Sequence, residues 1–149
     1  MKKTLRGFAF AMACLILLTT SAVAESEPIS PHASEYINGT SADIVAESNG
    51  HLRIYFSVGA TDIMSELGAT VIYVYENDGN STRVVATLRC TQDEYSYFMA
   101  ENTAFHGGNV VYKGIVGYKY YAKVYLKAGD STGSDTLTHT TATVTAKRH

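Results

Sequence analysis

From residue 36 onward, hydrophobic and polar residues alternate along most of the chain with the period of two that is typical of β-strands. The clearest case is the segment 51–60, whose alternate apolar residues are Leu52, Ile54, Phe56, Val58 and Ala60. Residues 70–76 are apolar on both faces, as in a strand in the middle of a sheet. The same patterning predicts further strands at 42–46, 84–90, 110–112, 118–128 and 135–146.

Turn-forming residues separate these segments. Ser48–Gly50 contains an Asn-Gly pair, and the run Asn77–Asn80 reads Asn-Asp-Gly-Asn; both favour tight reversals of the chain. Seven alternating strands joined by such turns predict an all-β fold, a sandwich of about seven antiparallel strands in which each sheet buries one set of side chains. In the fourth strand, the predicted inward residues are Val84, Ala86, Leu88 and Cys90.

Residues 91–105 interrupt the alternation. Thr91 and Glu94 have the spacing of a helical capping box, and Tyr95, Phe98 and Met99 would share one face of a helix. A short helical turn and an irregular crossover between the sheets are both compatible with this segment. The pair Gly107-Gly108 is predicted to end it.

The first 24 residues have the features of a cleaved secretory signal peptide. Lys2, Lys3 and Arg6 precede an apolar run from Phe8 to Leu18, and Ala22-Val23-Ala24 matches a cleavage site. The run is too short to span a bilayer comfortably. No second apolar segment follows it, so no membrane association is expected after cleavage. We expect a secreted, extracellular chain with a flexible leader at 25–35, a single β-sandwich domain at 36–146 and a basic tail at 147–149.

Charge and cysteine content narrow the classes of function. The chain has 12 basic and 14 acidic residues; without the three basic residues of the signal, the balance is 9 − 14 = −5. A nucleic-acid-binding domain is usually basic, so none is expected here. The expected mature chain keeps only Cys90, which excludes an internal disulfide and predicts either a buried thiol or pairing between chains.

Two sets of residues resemble fibronectin type III domains. Gly117-Tyr118-Lys119-Tyr120, followed by the alternating Ala122, Val124 and Leu126, is similar to the signature of strand F. The resemblance implies an immunoglobulin/fibronectin III-like sandwich in which Tyr120 is a tyrosine corner, hydrogen-bonded back to the backbone. Residues 52–56 resemble strand B, with Phe56 in place of the usual tryptophan, whereas the proline-rich segments of the family are missing.

The layout as a whole resembles an uncharacterised family of small secreted proteins from Gram-positive, Firmicutes-type bacteria. The shared features are the signal peptide followed by the segments Glu-Pro-Ile-Ser-Pro (27–31), Tyr-Ile (36–37), Ile-Tyr-Phe-Ser-Val-Gly-Ala-Thr (54–61), Glu-Leu-Gly-Ala (66–69) and Tyr-Tyr-Ala (120–122). This resemblance implies no known activity, substrate or catalytic residue.

One predicted strand carries a surface pattern that suggests binding. If Tyr120 and its alternating partners face the core, the exposed side chains are Lys119, Tyr121, Lys123, Tyr125 and Lys127. Tyr73 and Tyr75 of the neighbouring strand are expected on the same face. Aromatic rings stack on sugars and lysines attract anions, so this face could bind a glycan, a cell-wall polymer or a surface protein. Alternatively, such residues merely stabilise an exposed sheet, by roughly 0.2–1 kcal/mol per cross-strand pair.

The residues of catalytic and metal sites are not present in the usual patterns. The five histidines lack metal-binding spacing, and we expect no metal and no cofactor. Gly129-Asp130-Ser131 is similar to an esterase nucleophile motif, but no downstream Asp-x-x-His accompanies it. We therefore expect a non-catalytic binding module and no enzyme. The alternative is a self-associating structural protein of the extracellular-matrix type, assembled through exposed strand edges.

Overall fold

The computed structural model describes residues 34–149, which form a sandwich of two antiparallel β-sheets. The predicted signal peptide and most of the leader lie outside the described residues. The strands are β1 (Ile37–Ala46), β2 (His51–Met64), β3 (Glu66–Asn77), β4 (Thr82–Arg89), β5 (Met99–Ala100), β6 (Thr103–Lys113), β7 (Lys119–Gly129), β8 (Ser134–Thr140) and β9 (Val144–Thr145). Two 3₁₀ helices span Ser48–Gly50 and Asp93–Phe98. Neither helix is long and apolar enough to cross a membrane.

The strand order confirms the predicted fold class. The smaller sheet has the order β1-β2-β6, and the larger sheet has the order β4-β3-β7-β8, with the two-residue strands β5 and β9 added against β3 and β7. In the immunoglobulin-type sandwich, counted along the chain, the first, second and fifth strands share one sheet and the third, sixth and seventh share the other. The seven long strands of this domain divide in the same way: β1, β2 and β6 form one sheet, and β3, β7 and β8 belong to the other. The fourth long strand, β4, pairs with β3 in the larger sheet. The larger sheet has two edges, at β4 and β8.

The core lies between the two sheets and follows the predicted alternation. All five apolar residues predicted to face inward from β2 are buried, and β3 lies between β4 and β7 as its two apolar faces predicted. The largest fully buried side chains come from both sheets and from the second 3₁₀ helix: Tyr120, Phe98, Leu52, Ile54, Leu67, Ile72 and Leu126. The two sheets therefore share one continuous core.

Phe56 lies in this core, in edge-to-face contact with Phe98; the two ring centres are 5.5 Å apart. Gly108 lies opposite Phe56 on β6, and a Cβ there would come within 2.9 Å of the Phe56 ring. Glycine at this position makes room for the ring. The prediction that Gly107-Gly108 ends an irregular segment is wrong, because both glycines lie inside β6.

The interruption at residues 91–105 is a short 3₁₀ helix, followed at once by β5. The capping box predicted from Thr91 and Glu94 is not formed: the helix begins after Gln92 and has no side-chain cap. Phe98 at the end of the helix is fully buried, so packing of this side chain in the core, and not a side-chain cap, holds the helix in place. The sequence pattern correctly indicated a helical turn as one of two alternatives.

The predicted inward face of β4 is wrong at its first residue. Val74 of β3 pairs with Ala86, but the next residue, Tyr75, pairs with Val84. The skipped residue, Val85, forms a β-bulge and packs against the core, whereas Val84 is 46% exposed. A bulge reverses the alternation on one side of it, which sequence periodicity does not reveal.

The predicted last strand, 135–146, is divided into β8 and β9. Between them, Thr141 turns inward and is buried, and its hydroxyl accepts a hydrogen bond of 2.9 Å from the amide of Ala122 on β7. A side chain thus replaces the backbone partner that a continuous strand would have supplied. β9 then resumes the pairing with β7, at Lys119 and Tyr120.

Both ends of the described chain are hydrogen-bonded to the domain. Asp135 accepts hydrogen bonds from the Ser34 hydroxyl, at 2.6 Å, and from the amide of Tyr36, at 2.9 Å. The carbonyls of Lys147 and Arg148 accept from the first 3₁₀ helix, each at 2.8 Å. The domain thus includes residues 34–35 of the predicted leader and residues 147–148 of the predicted tail, which lie at opposite ends of the sandwich.

Candidate functional site

Strand β7 presents two different faces. Its inward side chains, Tyr120, Ala122, Val124 and Leu126, are all fully buried. The alternate residues therefore face outward, and these are the five predicted ligand-binding residues: Lys119, Tyr121, Lys123, Tyr125 and Lys127. Lys119 is exposed and the other four are half-buried among their neighbours. We call the outer surface of the larger sheet around these residues and Tyr73 and Tyr75 the Tyr/Lys face.

Two pairs of tyrosines cross from β3 to β7 on the Tyr/Lys face. Tyr75 lies directly opposite Tyr121, and their rings stack with centres 4.7 Å apart and an angle of 4° between the planes. Tyr73 and Tyr125 meet edge to face at 5.7 Å. The expectation that Tyr73 and Tyr75 share this face agrees with the register. Each of these aromatic contacts stabilises the sheet by about 0.5–1.5 kcal/mol beyond the contribution of burying the rings.

The aromatic pairs leave their polar groups available. None of the hydroxyls of Tyr73, Tyr75, Tyr121 and Tyr125 is hydrogen-bonded to another residue of the range 34–149, in contrast to the buried hydroxyl of Tyr120. β8 adds Thr136, Thr138 and Thr140, which lie opposite the outward residues of β7. The Tyr/Lys face is thus an aromatic surface with many hydroxyl groups.

The three lysines of β7 differ in their partners. Lys127 forms an ion pair with Glu66, at the start of β3. The ammonium of Lys123 lies 5.4 Å from the ring centre of Tyr75, a cation–π distance. Among residues 34–149, neither Lys119 nor Lys123 has a carboxylate partner. These two lysines can therefore bind an external anion without first breaking an ion pair.

A polar cluster, in which Tyr120 and Glu76 are buried and Arg83 is mostly exposed, holds β7 in place beneath the Tyr/Lys face. The Tyr120 hydroxyl donates a hydrogen bond to the buried carboxylate of Glu76 and accepts one, at 2.8 Å, from the amide of Ile115. The backbone bond is the one that the fibronectin resemblance implies for a tyrosine corner. Arg83 on β4 completes the cluster, with its guanidinium 2.8 Å from Glu76. Three adjacent strands are thereby joined beneath the Tyr/Lys face.

The ionisation of this cluster is fixed near neutral pH. The hydrogen bond from Tyr120, followed by that from Arg83, lowers the pKa of Glu76 below its ordinary value. Burial and the Glu76 carboxylate raise the pKa of Tyr120 to about 12. The carboxylate is therefore ionised and the phenol protonated, so the cluster acts as a structural clamp.

Sequence reasoning did not identify Glu76 as a clamp residue. It follows Ile72 and Val74 at the inward positions of β3, where an acidic residue is unusual unless it has a partner. An acidic residue two positions after Val74, on the inward side of the strand, was therefore the signal in the sequence for a buried and partnered carboxylate. Its partner Arg83 is seven residues away, across the turn between β3 and β4, and could be identified only with the register of that hairpin.

Two recesses lie near one end of the sandwich, beyond the aromatic pairs. The larger is an open groove of about 700 Å³ lined by Ile63, Glu66, Glu101 and Asp130, among others. The smaller, about 190 Å³, is lined in part by the half-buried Cys90 and by Lys127. In residues 34–149, no three His, Cys, Asp or Glu side chains are arranged to hold a metal ion.

The segment similar to an esterase motif is an ordinary turn. The Asp130 carboxylate accepts hydrogen bonds from the amide of Thr132 at 2.6 Å and from the amide of Gly133 at 3.2 Å. Bonds from Thr132 lower the pKa of Asp130, so this carboxyl is ionised and committed to shaping the loop between β7 and β8. This arrangement does not activate the neighbouring Ser131.

No protein-family model matches the chain, and a search of curated proteins finds no match.

Proposed function

We propose that the protein is a secreted, non-catalytic binding module that recognises a glycan or another cell-surface polymer on its Tyr/Lys face. Kinship with the Firmicutes-type secreted family belongs to the same proposal. The observation that carries it is the concentration on one sheet of four tyrosines whose hydroxyls have no hydrogen-bond partner, and of two lysines that have no carboxylate partner, among residues 34–149. Such a surface offers stacking area, hydrogen bonds and positive charge together.

The shape of the face favours an extended ligand over a small one. Small-molecule sites are usually concave, whereas the four tyrosines of the Tyr/Lys face line neither of the two recesses and are spread over two neighbouring strands. The stack of Tyr75 on Tyr121 and the clamp beneath it hold the surface in place before binding. A preorganised surface loses less conformational entropy when it binds.

Replacing both Tyr121 and Tyr125 with alanine should lower affinity for the ligand at least tenfold, or by roughly 1.4 kcal/mol or more. The reason is that the change removes half of the aromatic surface and two hydroxyls without touching the buried side of β7. Binding of the chain without its predicted signal segment would be measured on purified bacterial cell walls and on a glycan array.

The control is Tyr55→Ala, because Tyr55 is 42% exposed on the outer face of the smaller sheet. This variant should bind like the unmodified chain. Circular dichroism would verify that each variant is folded. Equal binding by the Tyr121→Ala/Tyr125→Ala variant and the unmodified chain would rule out the Tyr/Lys face as the site.

We also propose a second candidate function, self-association through the smaller sheet. Phe105, on the edge strand β6, is 66% exposed, and Val45 and Val111 are half-exposed on the same outer face. Register aligns these two valines on either side of Arg53, whose charge is neutralised by Glu47. An edge strand with exposed apolar side chains can pair with a second copy.

If this second function is correct, the molar mass from light scattering will rise with concentration, and Phe105→Lys will return the protein to a monomer. The lysine would place a charge at the centre of the contact, where its desolvation is unfavourable. A monomeric mass at millimolar concentration would exclude this function and leave the binding function unaffected.

A further inference from the structure

We infer that the ligand of the Tyr/Lys face is a linear polyanion, a chain with repeated carboxylate or phosphate groups. This inference rests on the proposed binding function and specifies its ligand class. Three observations carry it: the uneven distribution of charge, the lack of internal partners for the cations, and their separation along the sheet.

Positive charge is concentrated on this one face. Residues 34–149 contain 9 Lys and Arg against 12 Asp and Glu. On the Tyr/Lys face, the outward positions of β3, β4 and β7 include four of the cations but one carboxylate, that of Glu66; the cations are Arg89, Lys119, Lys123 and Lys127. The remaining surface and core therefore have five cations against eleven carboxylates. A domain with net negative charge thus presents a positive face.

Three of these cations are unpaired within the described chain. The ion pairs of residues 34–149 join Arg53 to Glu47, Arg83 to Glu76 and Lys127 to Glu66, and none involves Arg89, Lys119 or Lys123. A ligand anion can approach these groups without displacing a protein carboxylate. Lys127 would have to give up its ion pair with Glu66 before it could bind a ligand. We therefore assign the anion contacts to Arg89, Lys119 and Lys123.

The unpaired cations are too far apart for one small anion. Lys119 and Lys123 are four residues apart on β7, which is about 13 Å along a strand. Arg89 is on β4, two strands away and therefore about 10 Å across the sheet. A single phosphate or carboxylate can contact one of them, whereas a polymer with regularly spaced charges can contact all three. The tyrosines lie between them and would contact its backbone.

The test uses three polymers with the chain lacking its predicted signal segment: polygalacturonate, its fully methyl-esterified form and inorganic polyphosphate. The inference predicts binding to at least one of the two anionic polymers and at least tenfold weaker binding to the neutral ester. Raising NaCl from 50 to 200 mM should weaken the anionic complex roughly 20- to 40-fold, as expected when about three charged contacts release counterions.

The variant Lys119→Gln/Lys123→Gln should lose at least tenfold in affinity for the anionic polymer. The matched control is Lys113→Gln/Lys147→Gln, which removes the same net charge from two exposed lysines outside the Tyr/Lys face. It should remain within about threefold of the unmodified chain. Equal losses in both variants would show a general charge effect and overturn the inference.

Equal binding of polygalacturonate and its methyl ester would also overturn the inference, while the proposed function would stand with a neutral glycan as ligand. Binding to cell walls or array glycans without binding to either anionic polymer would have the same meaning. Failure to bind any polymer, cell wall or array glycan would overturn both the inference and the proposed function.

Discussion

Substitution of Gly68 by alanine will destabilise the domain by about 4 kcal/mol or prevent it from folding. Gly68 has φ = +151°, and a Cβ there would lie 2.0 Å from the carbonyl oxygen of Phe98 and 2.8 Å from the Cα of Met99. Both neighbours are backbone atoms, so a rotamer change cannot relieve the clash. The pairing of β3 with β5 would have to open, and Phe98 would be displaced from the core.

Two other glycines provide matched controls for this prediction. Gly79 also has a positive φ, +97°, but a methyl group added there would have no atom within 4 Å, so Gly79→Ala should cost only about 1–2 kcal/mol of backbone strain. Gly39 has neither feature, and Gly39→Ala should be nearly neutral. Urea unfolding would rank the three variants. A Gly68→Ala protein as stable as Gly79→Ala would contradict the close approach of β5 to β3.

Replacement of Tyr120 by phenylalanine will lower the free energy of unfolding by about 2–3 kcal/mol. The ring remains, but the buried Glu76 carboxylate loses a donor and the amide of Ile115 loses its acceptor. Thermal unfolding should show a melting temperature lower by roughly 10 °C for a domain of this size. Tyr112→Phe is the control, because the Tyr112 hydroxyl makes no hydrogen bond within residues 34–149 and its ring lies against Tyr120.

The pH dependence of stability gives an independent test of the same cluster. Because Glu76 has a lowered pKa in the folded state, its stabilising contribution is complete above its ordinary value of 4.5 and is lost as the pH falls through the folded pKa. The Tyr120 hydrogen bond is the largest cause of that lowering. The loss of stability as the pH falls below the ordinary pKa of 4.5 should therefore be smaller in Tyr120→Phe. Identical acid profiles would contradict the role given to this bond.

The fold and the outward face of β7 were predictable because both depend on local periodicity. Over residues 51–60 of β2 and 119–128 of β7 the alternation is uninterrupted, so the inward positions of Phe56 and Tyr120 determine the positions of their neighbours. In β7, Tyr120 and the alternating aliphatic residues after it were predicted to face inward, and all of them are buried. Once that phase was correct, the outward positions of Tyr121 and Tyr125 followed from geometry.

The features that were missed depend on how separate strands align. The bulge at Val85 changes the face of Val84, and it arises from the pairing of β3 with β4, not from the composition of either strand. The same register brings Arg83 to Glu76. The ion pair that sets Lys127 apart from the other lysines joins residues that are 61 positions apart in the sequence. Periodicity within one strand contains no information about such contacts.

The attachment of the two chain ends at opposite ends of the sandwich has a mechanical consequence. Tension applied at Ser34 and Arg148 would act nearly parallel to the strands, so the ladder between β1 and β2 would be loaded in shear, with many hydrogen bonds resisting together. The C-terminal side is held by the two-residue strand β9 and a few backbone bonds. Under tension, this short C-terminal segment should detach first and become extended, while the core and the Tyr/Lys face stay intact.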